Sequence, residues 1–172
     1  MPETDLQLES RRDIYQEVRR APGTHFRGLL RELDYAKGTV QYHLRWLVAR
    51  GLVESESDGE YTRYYPAREF EPADKATLSA LRRTYSREVL AHLAADGPLT
   101  TTDLAERLGK SASTVSWHLS RLHDAGLVAK RRDGRSVEYT LADRERVATL
   151  YATYEESFTD RLLDNLVDVW NA

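Results

Sequence analysis

An internal repeat constrains this chain more than any other feature of its sequence. At an offset of 75 residues, TVQYHLRWLVARGLVESESDGEYTRYY, which begins at Thr39, lies over TVSWHLSRLHDAGLVAKRRDGRSVEYT, which begins at Thr114. Upstream apolar residues keep the same register, with Ile14, Val18, Leu29 and Leu33 over Val89, Leu93, Leu104 and Leu108. Self-similarity at a fixed period predicts two copies of one folding unit.

Each copy has the pattern of three helices followed by two strands. In the second copy, apolar residues recur at helical spacing in three segments that end near Gly97, Gly109 and Gly126. The period then changes to two, and Asp133 with Gly134 marks a tight hairpin. We therefore expect a mainly α chain with small β-hairpin wings, organised as tandem winged helix-turn-helix domains plus a long C-terminal helix.

The repeat also predicts the domain boundaries. We expect a first winged helix domain at 1–70 and a second at 71–142, with a linker helix that starts near Ala73 and runs into the first helix of copy two. Residues 143–172 should form a C-terminal helix with an apolar stripe at steps of three or four, which needs a partner and predicts a homodimer. The residues of this stripe are Val147, Tyr151, Tyr154, Phe158, Leu162, Leu166 and Trp170.

Composition excludes several classes of protein. The chain has no cysteine, which excludes disulfides, thiolate metal sites and thiol catalysis. His118 and His123 are spaced poorly for a shared metal, and no catalytic motif is present, so we expect no metal, cofactor or enzymatic activity. No apolar run approaches the roughly 20 residues that span a bilayer, so we expect a cytoplasmic protein without a membrane partner.

The segment GKSASTVSWHLSRLHDAGLVAKRRDGRSVEYTL resembles the recognition helix and wing of ArsR-type winged helix repressors. Two such units in one short chain resemble archaeal transcription regulators with two helix-turn-helix domains. The resemblance covers roughly residues 10 to 142 and implies a regulator that binds double-stranded DNA. The thiolate motif of the metal-sensing members is absent, because the second helix reads TTDLAERLG, so metal sensing is not implied.

The second copy offers a surface suited to DNA. If Val115, Leu119 and Leu122 face inward, the opposite side of the third helix carries hydroxyl, aromatic and cationic groups that can pair with base edges in a major groove. The predicted readers are Ser111, Ser113, Thr114, Ser116, Trp117, Ser120 and Arg121. The wing adds cations that can bind phosphate, namely Lys130, Arg131, Arg132 and Arg135.

The first copy differs, because its wing carries four carboxylates, Glu54, Glu56, Asp58 and Glu60, which should repel a phosphate backbone. Its third helix turns outward several groups that suit an accessory contact with either DNA or a protein partner: Lys37, Gln41, Tyr42, Arg45 and Trp46. The net charge of −3 requires any DNA site to be a local patch. Residues 76 to 142 hold 10 basic and 7 acidic side chains, so copy two is the expected main reader.

Two questions stay open at this point. His43 and His118 occupy the same place in both copies, where they fit either a phosphate contact or pH switch, or a partly buried structural role. A protein-interaction module of a chromosome-associated complex is the alternative function, because winged helices also serve that purpose. The operator, any small-molecule effector and the sign of regulation are not encoded in these patterns.

Overall fold

A computed structural model of the protein describes the backbone of residues 2–170 and the side chains of residues 7–158. The chain divides into two units, residues 1–75 and 76–172. The first unit contains α1 (Pro2–Arg20), β1 (Thr24–His25), α2 (Phe26–Glu32), α3 (Lys37–Ala49), β2 (Val53–Ser57) and β3 (Thr62–Pro66). Helix α4 (Pro72–Leu81) begins in the first unit and ends in the second.

The second unit repeats this order and adds a C-terminal helix. Its elements are α5 (Thr84–Asp96), β4 (Leu99–Thr100), α6 (Thr101–Leu108), α7 (Ala112–Asp124), β5 (Val128–Asp133), β6 (Ser136–Leu141) and α8 (Arg144–Trp170). The predicted fold class, tandem winged helix-turn-helix domains with a long final helix, is confirmed.

Each wing is a three-stranded sheet rather than the expected two-stranded hairpin. The strand orders are β1-β3-β2 and β4-β6-β5, with antiparallel pairs throughout. The additional strands β1 and β4 have two residues each, and they precede α2 and α6 directly. A strand of two residues has no periodicity of its own, so the sequence pattern could not distinguish it from a loop.

The two cores share seven equivalent residues. The first unit buries seven apolar side chains around α1, α2, α3 and β2, and the second unit buries the residues 75 positions later. The first set is Ile14, Val18, Leu29, Val40, Leu44, Leu47 and Val53, and the second is Val89, Leu93, Leu104, Val115, Leu119, Leu122 and Val128. These side chains make α3 and α7 present one fixed side to the core and the other to solvent.

Helix ends follow the local sequence. Thr100 and Asp103 form a reciprocal capping box at the start of α6, and Gly109 ends that helix with a φ of 63°. Ser111 caps α7 by accepting a hydrogen bond from the Thr114 amide. Ala36 occupies the same position before α3 and makes no side-chain cap.

We expected the linker helix to continue into the first helix of copy two, but the structure separates them. Helix α4 ends at Leu81, and Arg83 is extended, with φ −97° and ψ 120°, before α5 begins. Neither glycine nor proline marks this break in the sequence. Two buried arginines beside the break donate to backbone carbonyls. Arg87 Nη1 donates to the Leu81 carbonyl at the end of α4 at 2.8 Å, and Arg82 Nη1 donates to the Ser157 carbonyl of α8 at 3.0 Å.

Candidate nucleic-acid interface

The N-terminus of α7 carries a cluster of hydroxyl groups. Ser111 Oγ lies 2.8 Å from Thr114 Oγ1 and 3.1 Å from Ser113 Oγ. The same oxygen accepts the Thr114 amide at 3.2 Å. Because the orphan amides of a helix N-terminus attract negative charge, this end of α7 suits a phosphate or an acceptor edge of a base.

The remaining predicted readers lie on the exposed side of the same helix. Residues 113, 114, 116, 117 and 120 are exposed, whereas Arg121 is half-buried. Trp117 is 55% exposed, and the Arg121 guanidinium lies 4.8 Å from the centre of its ring. Six of the seven predicted side chains of this helix are thus exposed, and the seventh, Arg121, lies beside the exposed Trp117 ring.

The second wing holds its cations in two different states. Arg131 donates from Nη2 to Glu138 Oε2 at 2.9 Å across the strand pair, an exposed contact that raises the pKa of the arginine further above its ordinary value. Strand alternation places Lys130 and Arg132 on the opposite face of the hairpin. Arg135 lies in the turn between β5 and β6. Of the four predicted phosphate contacts, Arg131 is therefore the one already engaged by a carboxylate.

In the first unit, Lys37, Gln41, Tyr42 and Arg45 are exposed along α3, as the sequence predicted. Trp46 is not, because it packs against the core between two guanidinium groups. Arg11 lies 3.7 Å and Arg50 4.9 Å from the centre of its ring. The helical period alone predicts that Trp46 faces outward. That pattern does not show that Arg11, on a helix 35 residues earlier in the chain, covers the Trp46 ring.

Gln41 and Arg45 also border a groove of about 390 Å³ between α3 and the first wing. Its apolar floor is formed by Phe26, Leu44, Val48 and Ala49, and Ser55 and Tyr64 close the side of the wing. Burial raises the pKa of the Tyr64 phenol, and nearby Arg45 opposes that shift.

The carboxylates of the first wing bind cations of their own unit. Lys75 Nζ lies 2.8 Å from Glu54 Oε2 and 3.5 Å from Glu56 Oε2. The hydrogen bond with Lys75 lowers the pKa of Glu54, and the same bond raises the pKa of Lys75. Two of the four carboxylates that should repel phosphate thus also anchor the wing to the start of α4.

Asp58 has a structural role at the tip of the first wing. It pairs with Arg63, which is 1% exposed and donates from Nη1 to the Gly23 carbonyl at 2.9 Å. Burial raises the pKa of the Asp58 carboxyl, but hydrogen bonds from the Tyr61 and Glu60 amides and from Arg63 outweigh it, so the pKa lies well below its ordinary value. The sequence alone could not predict this pair, because a run of charged residues does not show which of them are partners.

The two equivalent histidines are both shielded from water. His43 is 2% exposed and its Nδ1 has no hydrogen-bond partner among the described residues, and His118 is half-buried beneath Tyr85. Burial lowers the pKa of both imidazoles, and neighbouring arginines lower it further. Because His43 is buried, it does not contact a phosphate. A pH switch or a structural role remains for that residue.

Helix α8 covers part of the second unit with residues predicted for dimerisation. Val147 and Phe158 are buried, and the Arg82 guanidinium lies 4.5 Å from the centre of the Phe158 ring. Tyr151 and Tyr154 are half-buried. The side chains of Leu162, Leu166 and Trp170 lie outside the described residues.

The described residues also bear on metal sites and membrane spans. No three histidine or carboxylate side chains in the described part of the chain are grouped so that they could hold a metal ion. None of the described helices combines the length and apolarity required to cross a bilayer.

Comparison with known proteins identifies relatives of both units. Residues 8–78 match a family described as an N-terminal HTH domain, and residues 82–129 match one described as winged helix-turn-helix DNA-binding. The HTH-type transcriptional regulator MJ1398 of Methanocaldococcus jannaschii is 28% identical over 131 residues, which are 76% of this chain and 33% of that protein.

Two further relatives match the chain over shorter lengths. The HTH-type transcriptional regulator NmtR of Mycobacterium tuberculosis is 46% identical over 68 residues, 40% of this chain and 56% of its own length. The structure of reduced HlyU from Vibrio cholerae N16961 has 30% identity and a TM-score of 0.43, and covers 48% of this chain and 86% of that one. The chain thus spans a third of MJ1398 and just over half of NmtR.

Proposed function

Because this chain belongs to the transcription regulators with two winged helix-turn-helix domains, ArsR-like in the second, we propose that it binds operator DNA through its second unit. Helix α7 lies in the major groove, and the wing of β5 and β6 binds the flanking phosphates. The observation that carries this proposal is one unit that exposes both a hydroxyl-rich helix face and a cationic hairpin. Phosphate contacts provide affinity and register, and base contacts provide selectivity.

The experiment is a salt titration of duplex binding by the Lys130→Ala/Arg132→Ala variant. Each phosphate contact contributes about 0.9 to the slope of log K against log salt, so loss of two contacts should flatten the slope by about two and weaken binding to all sequences. Arg144→Ala removes an exposed cation of the same unit outside this surface and should leave the slope unchanged. A double variant with the slope of the parent would reject the wing contact.

Selection from a random duplex pool separates this proposal from the alternative of a protein-interaction module. A DNA regulator enriches a sequence motif, because α7 discriminates between base edges. An interaction module enriches none. Repression follows most simply if the bound protein blocks access to a promoter.

The first unit is the proposed site of an accessory contact. Its exposed Lys37, Gln41, Tyr42 and Arg45 occupy the helix equivalent to α7, and its wing provides no cationic tip. If the accessory partner is DNA, Lys37→Ala/Arg45→Ala should also flatten the salt slope by about two. An unchanged slope would reject a DNA contact through this face.

We also propose a homodimer through the distal part of α8, where Leu162, Leu166 and Trp170 continue the apolar stripe beyond Phe158. A two-fold dimer would present two copies of α7 to half-sites about 34 Å apart. Leu162→Asp/Leu166→Asp should convert a dimer to a monomer in light scattering. An unchanged mass of two chains would place the interface elsewhere, and a parent chain that is monomeric would reject the dimer.

A further inference from the structure

Trp117 is held in a fixed position on the exposed face of α7. A single exposed aromatic side chain is ordinary on a protein surface. This ring, however, contacts the His118 ring edge-on at 4.8 Å, and His118 is stacked on Tyr85 of α5 at 3.9 Å. The Arg121 guanidinium lies over Trp117 at 4.8 Å. A continuous stack therefore runs from α5 to the surface of α7 and fixes the orientation of its outermost members.

The stack leaves Arg121 ready to bind an acceptor. The described structure gives its guanidinium no hydrogen bond and no ion pair, although the group is half-buried. A guanidinium that lies on an aromatic face keeps its N–H donors in its own plane. There they can reach two adjacent acceptors on a base edge beside the ring. Because these contacts restrict both side chains before binding, a contact made by them costs less conformational entropy.

The first unit repeats the ring but not the cation. Tyr42, 75 positions before Trp117, is 59% exposed and contacts the His43 ring edge-on at 5.1 Å. The position equivalent to Arg121 is Trp46, which packs against the core. The exposed aromatic ring beside a histidine is thus common to both reading helices, and the ring with its arginine belongs to the second unit alone.

We propose that Trp117 packs on the C5-methyl group of a thymine and that Arg121 donates to O6 and N7 of a guanine in the neighbouring base pair. The inference rests on the proposed placement of α7 in the major groove, where only thymine presents a methyl group and guanine presents two adjacent acceptors. Trp117 and Arg121 are one helical turn apart, and their stacking brings them close enough to read neighbouring base pairs. They are specificity-determining residues for a step that contains thymine and guanine.

The test begins with the motif selected by the parent chain and changes single atoms of the DNA. Deoxyuridine in place of the contacted thymine removes only the methyl group, and should weaken binding by the parent about fourfold, the effect of one buried methyl group. Trp117→Ala should bind the two duplexes equally. In the same way, 7-deazaguanine in place of the neighbouring guanine removes the N7 acceptor and should weaken binding by the parent. Arg121→Ala should bind the duplexes with guanine and with 7-deazaguanine equally.

Controls separate this inference from the proposed function. Ser120→Ala alters an exposed residue of the same face and should keep the response to deoxyuridine, as should Trp117→Phe, which retains an aromatic ring. If the parent selects no motif, the proposed function fails. If it selects a motif that lacks the thymine and guanine step, or if Trp117→Ala still responds to deoxyuridine, this inference fails and the function stands.

Discussion

The two wings have the same strand order and antiparallel pairing, and they use charge in opposite ways. The hairpin from Val53 to Pro66 carries four carboxylates and one guanidinium, and the hairpin from Val128 to Leu141 carries four cations and two carboxylates. In the first wing, Lys75 and Arg63 hold three of the carboxylates. In the second, Lys130 and Arg132 are exposed. The carboxylates of the first wing are thus largely paired within their unit, whereas Lys130 and Arg132 of the second wing are available to a partner.

The helix-turn-helix segments differ in charge in the opposite direction to the wings, because the first is the more basic of the two. Residues 26–50 carry five cations and two carboxylates, whereas residues 101–125 carry three of each. Each copy therefore concentrates its cations on a different element, the helices in the first and the wing in the second. If the first copy contacts phosphate, its helices rather than its wing carry the cations for that contact.

The largest expected effect concerns the buried cation of the first wing. Arg63→Ala leaves the Asp58 carboxylate shielded from water without its partner, and removes the hydrogen bond to the Gly23 carbonyl. Loss of one partner from a buried ion pair typically costs about 3–5 kcal/mol. Urea unfolding should show this loss in the first unit, with Trp46 as the only tryptophan in a Trp117→Phe/Trp170→Phe background.

The matched control is Arg131→Ala in the second wing, whose ion pair with Glu138 is exposed. Its unfolding midpoint should equal that of the parent, because exposed pairs contribute little. Equal effects of the two substitutions would remove the contrast between the wings.

These contrasts mark the limit of what the sequence predicts. The repeat, the apolar period and the glycines predicted both winged helices, because local patterns determine the elements and which side faces the core. The partners of charged residues could not be predicted in this way. Glu54 meets Lys75, and Trp46 meets Arg11, across 21 and 35 residues of chain, and nothing in either segment records the contact. Arg87 likewise binds the carbonyl of Leu81 at the end of α4, and nothing in the sequence of α4 records that contact.

Acid should destabilise the first wing through Asp58. The pKa of this carboxyl is lower in the folded chain than the value near 3.9 of an unfolded one, so its stabilising effect is complete above the unfolded value. That effect is lost as the pH falls below about 4 toward the folded pKa. Asp58→Asn should be less stable than the parent at pH 7, with a flatter decline in acid.

The reporter for acid unfolding is again Trp46 fluorescence. Asp133→Asn, the equivalent change in the exposed second wing, should follow the parent at every pH. Parallel acid profiles for the parent and Asp58→Asn would show that this carboxylate does not stabilise the first unit.

A smaller effect should follow from releasing Arg131. Glu138→Gln removes the carboxylate that binds its guanidinium at 2.9 Å, so that Arg131 becomes available to phosphate. Duplex affinity should rise a few-fold, and the slope of log K against log salt should steepen by about one. Fluorescence anisotropy across a salt series measures both. Glu106→Gln, an exposed carboxylate on α6, controls for the change in net charge, and an equal gain from it would attribute the effect to overall charge.

The smallest expected effect compares the N-caps of α3 and α7. Ala36 has φ −60° and ψ 146°, and Ser111 has φ −67° and ψ 150°, so the backbone of the first copy already has the capping conformation and lacks only the hydroxyl. Ala36→Ser should stabilise the first unit by about 0.5–1 kcal/mol, and Ser111→Ala should destabilise the second by a similar amount. Urea unfolding measures both, with Ala36→Gly as a control that lacks the oxygen. A serine no better than glycine at position 36 would mean that the resemblance of the two backbones does not extend to their capping energies.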